Sequence, residues 1–174
     1  MAEAGYEFAV FPPEIDETAF SAEGVKPGEY AERLALAKAK NVAGKFPERL
    51  VIGADTVADF DGEIIGKPSD AEDAERITRK LFSKQHKVIT AVAIVRQSDG
   101  LELVKSDSTT VYPKKMSDEQ IAEHIKSKSW QDKAGAYAIQ EDGDEFVERI
   151  EGSLTNVMGL PMELLGRLLG RIID

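Results

Sequence analysis

The stretch VIGADTVADFDGEIIGKP, Val51 to Pro68, constrains the fold of this chain more than any other. Leu50 to Ala54 is a short apolar run of strand type, and Asp61-Gly62 is a dipeptide that accepts the positive φ angles of a tight two-residue turn. Glu63 to Ile65 then reads as the return arm of a hairpin. The run ends in an acid, Asp55, and a hydroxyl, Thr56, and the hairpin is followed by Lys67 held between Gly66 and Pro68. A carboxylate and a lysine delivered to neighbouring strand ends suit a metal-bound polyphosphate.

The remaining segments predict alternating strands and helices. GYEFAV, Gly5 to Val10, alternates as a strand does, and PPEIDE turns out of it, placing Asp16 and Glu17 on a strand-exit loop. Pro27 and Gly28 open a helix over Glu29 to Ala43 with Tyr30, Leu34, Ala37 and Val42 on one face and Lys38 within it. Ser69, with Glu72 three residues on, predicts an N-cap for a helix to Phe82. Lys87 to Arg96 reads as a central strand, and LELVKSDSTTVYP as another, rich in β-branched residues. Ser117, with Gln120 or the neighbouring acids as its partner, forms a capping-box pattern for a helix from Asp118 to Lys126. WQDKAGAY predicts an ordered loop entering a strand, Ala136 to Gln140. Phe146 to Ile150 is the next strand, Gly152 to Gly159 a loop, and Pro161 starts a C-terminal helix.

With 174 residues, 42% of them hydrophobic, the chain can build one substantial core, and a single domain over residues 1–174 is expected. The formal net charge of -10 opposes a sequence-independent grip on nucleic acid, which depends on lysine and arginine displacing counterions. Cysteine is absent and the only histidines are His86 and His124, which leaves no disulfide framework, no thiol nucleophile and no basis for a zinc cluster. No apolar run reaches the roughly 20 residues of a membrane span. A cytoplasmic protein without nucleic-acid or membrane partners is the expectation.

Four loops carry polar residues that packing alone does not require: Asp16-Glu17, Asp55-Thr56, Gly66-Lys67-Pro68 and Gln131-Asp132-Lys133. Each also has a plainer reading, as a solvated turn, a surface lysine or a local ion pair worth little. Asp55 ends a buried run, where an unpaired carboxylate is costly. It reads either as a turn acceptor or as a metal ligand or general base, in which case Glu17 is a natural second ligand.

The blocks VIGADTVADFDGEIIGKP, KVITAVAIV, DKAGAYAIQ and VERIEGSLTNVMGLP, with PPEIDE and RLALAKA upstream, together resemble the Maf family of nucleoside triphosphate pyrophosphatases, in the family's order and over nearly the whole chain. The resemblance implies an α/β fold like that of inosine triphosphate pyrophosphatase, with a curved mixed sheet flanked by helices and a central cleft. It implies hydrolysis of a nucleoside triphosphate to the monophosphate and pyrophosphate, a divalent cation, Mg2+ or Mn2+, and a homodimer. Asp55 matches the proposed proton acceptor, and it shares the metal with Glu17. Lys38 and Lys67, with Lys133, match cations facing the phosphates. Thr56 and Gln140 match positions of nucleotide choice, in the combination of the subgroup acting on dTTP and UTP. A glutamine amide, with donor and acceptors, suits the edge of uracil or thymine. Asn156, in LTNVMGLP, reads equally as a turn former.

Family members begin with an apolar strand and a loop of the form S-x-S-x-R-R, whereas here Met1 falls inside the helix expected ahead of GYEF. The expectation is a truncated form of an enzyme whose longer version is active. The alternative class is a non-catalytic nucleotide-binding or septum-formation regulatory protein, for which a chain without that arginine loop would suffice.

Overall fold

The computed structural model describes residues 1–137 and 146–173. Its centre is a five-stranded sheet in the order β2-β1-β3-β4-β5, with β1 Val51–Phe60, β2 Glu63–Ile65, β3 His86–Arg96, β4 Leu101–Pro113 and β5 Val147–Glu151. Helix α1, Pro27–Ala43, covers one face. Helices α2 (Ala71–Leu81), α3 (Asp118–Ser127), the single turn α4 (Leu154–Val157) and α5 (Met162–Ile173) follow in the chain order expected of the α/β class. The resemblance implied a mixed sheet; among the described strands all pairings are antiparallel.

The hairpin forms where the Asp-Gly dipeptide placed it, with Asp61 at φ 54° and Gly62 at φ 89°, and the Asp59 carboxylate accepting from the Gly62 N–H at 2.7 Å. The first strand, however, runs on to Phe60 rather than stopping at Ala54, because β3 pairs with it from Val51 to Asp59. Asp55 and Thr56 therefore lie within a strand, not at its end. By the two-residue period of a strand they point to opposite faces.

Helix α1 seats on the sheet through a stripe of small residues. Ala31, Ala35, Ala39 and Ala43 are almost wholly buried and meet Ala91 and Ala93 of β3; of the face in the sequence pattern, Leu34 and Val42 are buried with them, whereas Tyr30 and Ala37 are only partly so. Contact is tightest at Gly53, where a Cβ would lie 2.4 Å from the Ala35 carbonyl oxygen. Only glycine permits that approach.

On the other face two apolar clusters are separated by a polar band. Ala58, Val88 and Val111 pack with α2, α3 and Trp130, while Ile52, Val92, Ile94 and Leu103 pack with α5. Between them the sheet carries Thr56, Thr90 and Thr109, the last two fully buried.

Three local expectations change. The segment of residues 6–16 has no regular structure and leaves Phe8, Val10 and Phe11 exposed. It is moored to the end of α1, where the Asn41 amide donates to the Glu14 carbonyl and accepts from its N–H, and Phe11 packs on Phe46. The N-cap of α2 is Asp70, which accepts from the Asp73 N–H at 2.8 Å, while Asp73 accepts in return from Ser69. The reciprocal pair sits one residue later than the Ser69 and Glu72 pattern. Ala134–Ala136 is a 3-10 turn, so the strand expected over Ala136 to Gln140 does not begin at Ala136, and its residues 138–140 lie outside the described residues.

Candidate active site

The short approach at Gly53 sets up the charged site. Lys38, on α1, lies beside the seam that Ala35 and Ala39 make with β1, and Asp55 is two residues beyond Gly53 on the same face. The Lys38 Nζ reaches Asp55 Oδ1 at 2.6 Å and Glu17 Oε1 at 2.9 Å. Asp55 and Lys38 side chains are 8% and 15% exposed, against 42% for Glu17, so the ammonium bridges one buried and one open carboxylate.

Glu17 is freed for this by its neighbour. Asp16 caps the 3-10 turn Glu17–Ala19, accepting from the Thr18 N–H at 3.0 Å and its hydroxyl at 2.6 Å. Of the two acids in the loop, one shapes the backbone and the other faces the lysine.

The electrostatics of the group are unequal. Burial pushes the Asp55 carboxyl above the usual carboxylate range, aided by Glu17 and opposed by Lys38 and Lys67. The hydrogen bond from Lys38 holds Glu17 below its usual value. Burial would lower the Lys38 ammonium, but its hydrogen bonds to Asp55 and Glu17 outweigh that and raise it. Tyr30 belongs to the same neighbourhood: burial, then the charges of Asp55 and Glu17, raise its hydroxyl. The sequence pattern treated Tyr30 only as an apolar position on the helix.

Lys67 is exposed and near enough for its charge to favour ionisation of both Glu17 and Asp55, and among the described residues it makes no ion pair. Its loop is joined to the DKAG segment by the Gly135 N–H, which donates to the Gly66 carbonyl at 3.0 Å. Lys133, exposed, precedes that contact by two residues. Gln140 lies outside the described residues.

Both histidines hold the DKAGAY segment. The His124 Nε2–H donates to the Ala136 carbonyl at 2.8 Å. The His86 Nδ1–H donates to the Leu81 carbonyl at 3.0 Å; burial pushes the His86 pKa down, so its Nε2 accepts from the Tyr137 hydroxyl at 2.6 Å. Gly135 fits because a Cβ there would lie 2.8 Å from a Leu81 methyl. These roles were not legible in the sequence, where nothing ties His86 to Tyr137.

Thr56 faces away from Asp55, into the polar band. Its hydroxyl lies 2.9 Å from that of Thr90, which donates to the Asn156 carbonyl at 2.7 Å. Asn156 is fully buried and is no mere turn former. Its Nδ2 donates to the Val88 carbonyl and its Oδ1 accepts from the Thr90 N–H, the two bonds a neighbouring strand would make to β3. The charged and neutral groups meet at one place. Beyond Ala58–Phe60, which pair with β2, the outer edge of β1 carries no strand among the described residues, so Asp55 and Thr56 flank an open backbone edge.

No group of three or more acidic, histidine or cysteine side chains disposed to hold a metal occurs among the described residues. Two carboxylates brought to one ammonium do fit a magnesium ion that takes its other ligands from phosphate and water.

A family model described as "Maf-like protein" matches residues 1–172. Among curated proteins, one from Geobacter metallireducens is 45% identical over 163 residues, covering 93% of this chain and 83% of its own length. One from Ruminiclostridium cellulolyticum is 39% identical over 165 residues, 95% of this chain and 85% of that protein. One from Methanosarcina barkeri is 39% identical over 165 residues, 95% and 83% of the two chains. Each bears the name "dTTP/UTP pyrophosphatase". With a match of this extent, and relatives of about 40% identity over nearly its whole length, the chain belongs to the Maf family.

Proposed function

We propose that this protein hydrolyses dTTP and UTP to the monophosphate and pyrophosphate. The observation that carries the reading is the buried Asp55 held with Glu17 by Lys38, with the charge of Lys67, in no ion pair among the described residues, acting on both acids, in a chain whose relatives bear that enzyme's name.

Asp55 acts as the base that takes a proton from the attacking water. Lys38 engages Oδ1, which leaves Oδ2 for the water, and burial makes the carboxylate more basic than an exposed one. As water adds to the α-phosphorus, the bond to the bridging oxygen breaks and negative charge moves onto pyrophosphate. Lys67 and Lys133, on adjoining loops, stabilise that charge. Lys38 keeps Asp55 oriented and offsets the charge that accumulates between two acids and a triphosphate. Glu17 and Asp55 would hold a divalent cation, Mg2+ or Mn2+, which supplies charge neutralisation and alignment of the phosphates when bound.

The nucleobase sits on the face of β1 that carries Thr56; Gln140, which lies outside the described residues, matches the second position of nucleotide choice. The test is release of pyrophosphate from dTTP and UTP by the purified chain with magnesium. Turnover that disappears in Asp55→Asn is expected. A folded protein that binds UTP without releasing pyrophosphate would establish the non-catalytic, regulatory class instead.

A further inference from the structure

The hydrogen bonds around Thr56 fix the direction in which its single hydroxyl proton points. A carbonyl oxygen can only accept, so the 2.7 Å contact from Thr90 Oγ1 to the Asn156 carbonyl uses the one proton Thr90 has. At the 2.9 Å contact between the two threonines Thr90 must therefore accept, and Thr56 must donate. Asn156 cannot turn to relieve this. Its amide donates to the Val88 carbonyl at 2.9 Å and to Thr109 Oγ1 at 3.0 Å, accepts from the Thr90 N–H at 3.1 Å, and its own N–H donates to Ser153 Oγ at 3.1 Å. Thr109 in turn gives its proton to the Ser153 carbonyl at 2.9 Å. Every proton in the band is committed inward, and the band is fully buried at Thr90, Thr109 and Asn156.

Thr56 is the half-buried end of this chain. With its proton given to Thr90, it has only lone pairs left for a ligand. Gly159 passes over it at φ 98°, and a Cβ there would come within 3.5 Å of the Thr56 hydroxyl, so the glycine keeps that oxygen uncovered.

We propose that Thr90 and Asn156 are positioning residues for specificity: they make Thr56 a hydrogen-bond acceptor only, which selects a base offering a ring N–H. Uracil and thymine have one such donor, the imide N3–H, whereas the corresponding nitrogen of cytosine carries a lone pair. The inference rests on the dTTP/UTP reading above and supplies a physical cause for it.

Three measurements decide it. In the wild type, kcat/KM for UTP exceeds that for CTP, and methylation of UTP at N3 lowers kcat/KM roughly tenfold or more, the size of one hydrogen bond left unmade. In Thr90→Val the Thr56 proton is released to turn toward the ligand. The UTP to CTP ratio then falls roughly tenfold, with the loss for UTP falling on KM, and Thr90→Ser restores the ratio. A wild type that releases no pyrophosphate from UTP or dTTP overturns the dTTP/UTP reading and this inference with it, whereas one that turns over CTP as fast as UTP overturns this inference alone. A wild-type preference that survives in Thr90→Val, or equal turnover of UTP and its N3-methyl derivative, overturns this inference alone. The N3-methyl measurement requires no variant and stands even if Thr90→Val fails to fold.

Discussion

The two faces of β1 at consecutive residues make different sites from the same strand. On the α1 face, Asp55 is surrounded by charge: an ammonium at 2.6 Å, a second carboxylate on the same ammonium, and Lys67 beyond. On the opposite face, Thr56 ends a neutral chain of hydroxyls and one amide. Formal charge in a buried place strengthens electrostatic work on a polyphosphate but says little about shape. Neutral hydrogen bonds carry direction, since a misplaced donor leaves a buried group unpaired. The strand thus separates a charged group from a neutral one across one backbone, and both adjoin the stretch of its outer edge that carries no strand among the described residues.

Asp55→Asn should break the charged side most severely. We expect turnover to drop by about 10³-fold for UTP and dTTP alike, because the amide cannot take the proton from water. Thr56→Val should instead alter the ratio of nucleotides, and a Thr56 variant that lost all substrates equally would erase the distinction between the faces. Steady-state assays on a nucleotide panel read both.

Lys38→Met tests how far the charged side is also structural. It leaves Asp55 buried without its cation, and a loss of about 3 to 5 kcal/mol in unfolding free energy is expected at neutral pH. The loss should shrink at low pH, where Asp55 is protonated. Denaturant titrations at the two pH values check this.

Asn156→Ala is the corresponding test of the neutral side. It strands the Val88 carbonyl and the Thr90 N–H in a buried band, and about 2 to 4 kcal/mol of destabilisation is expected. Unlike the Lys38 variant, this loss should hardly vary with pH, because no partner in the Val88, Thr90 and Thr109 set titrates.

The smallest effect separates burial from neighbouring charge at Asp55. In the metal-free protein its carboxyl should titrate above the ordinary aspartate range, since burial opposes the charged form. Such a raised pKa means that ionising Asp55 costs stability. The contribution is fully present below the unfolded value and fades as pH rises through the folded one. Glu17→Gln removes a like charge and should move the Asp55 midpoint down. Carboxyl carbon NMR follows it, and a midpoint unmoved or raised would show that Glu17 does not act on Asp55 by charge. Glu17 itself has the opposite sign: held low by Lys38, it stabilises above its unfolded pKa and that gain is lost as pH falls.

Much of this was legible locally. The Asp61-Gly62 turn and the Ser117 and Gln120 capping box formed where the residues specify them, because both are satisfied within a few bonds of backbone. Lys38, Asp55 and Glu17 were singled out as residues, yet the hairpin pattern put Asp55 at a strand end. Strand length depends on the partner, and β3 holds β1 well past Asp55. GYEFAV shows the converse: alternation alone makes no strand without a neighbour to pair with, and the segment instead ties to Asn41.

The sequence by itself determined most of the strands and helices, their order, the residue types of the Glu17, Lys38 and Asp55 group and the family. Only the tertiary structure decided that Asp55 and Thr56 face opposite ways with Lys38 on one side and Thr90 on the other. It also made Asn156 the hub of a buried band and set both histidines to bracing a loop. The reason is physical. Turns and caps are fixed by interactions between residues close in the chain, whereas a buried charge or hydroxyl is defined by whichever distant group desolvates and pairs with it.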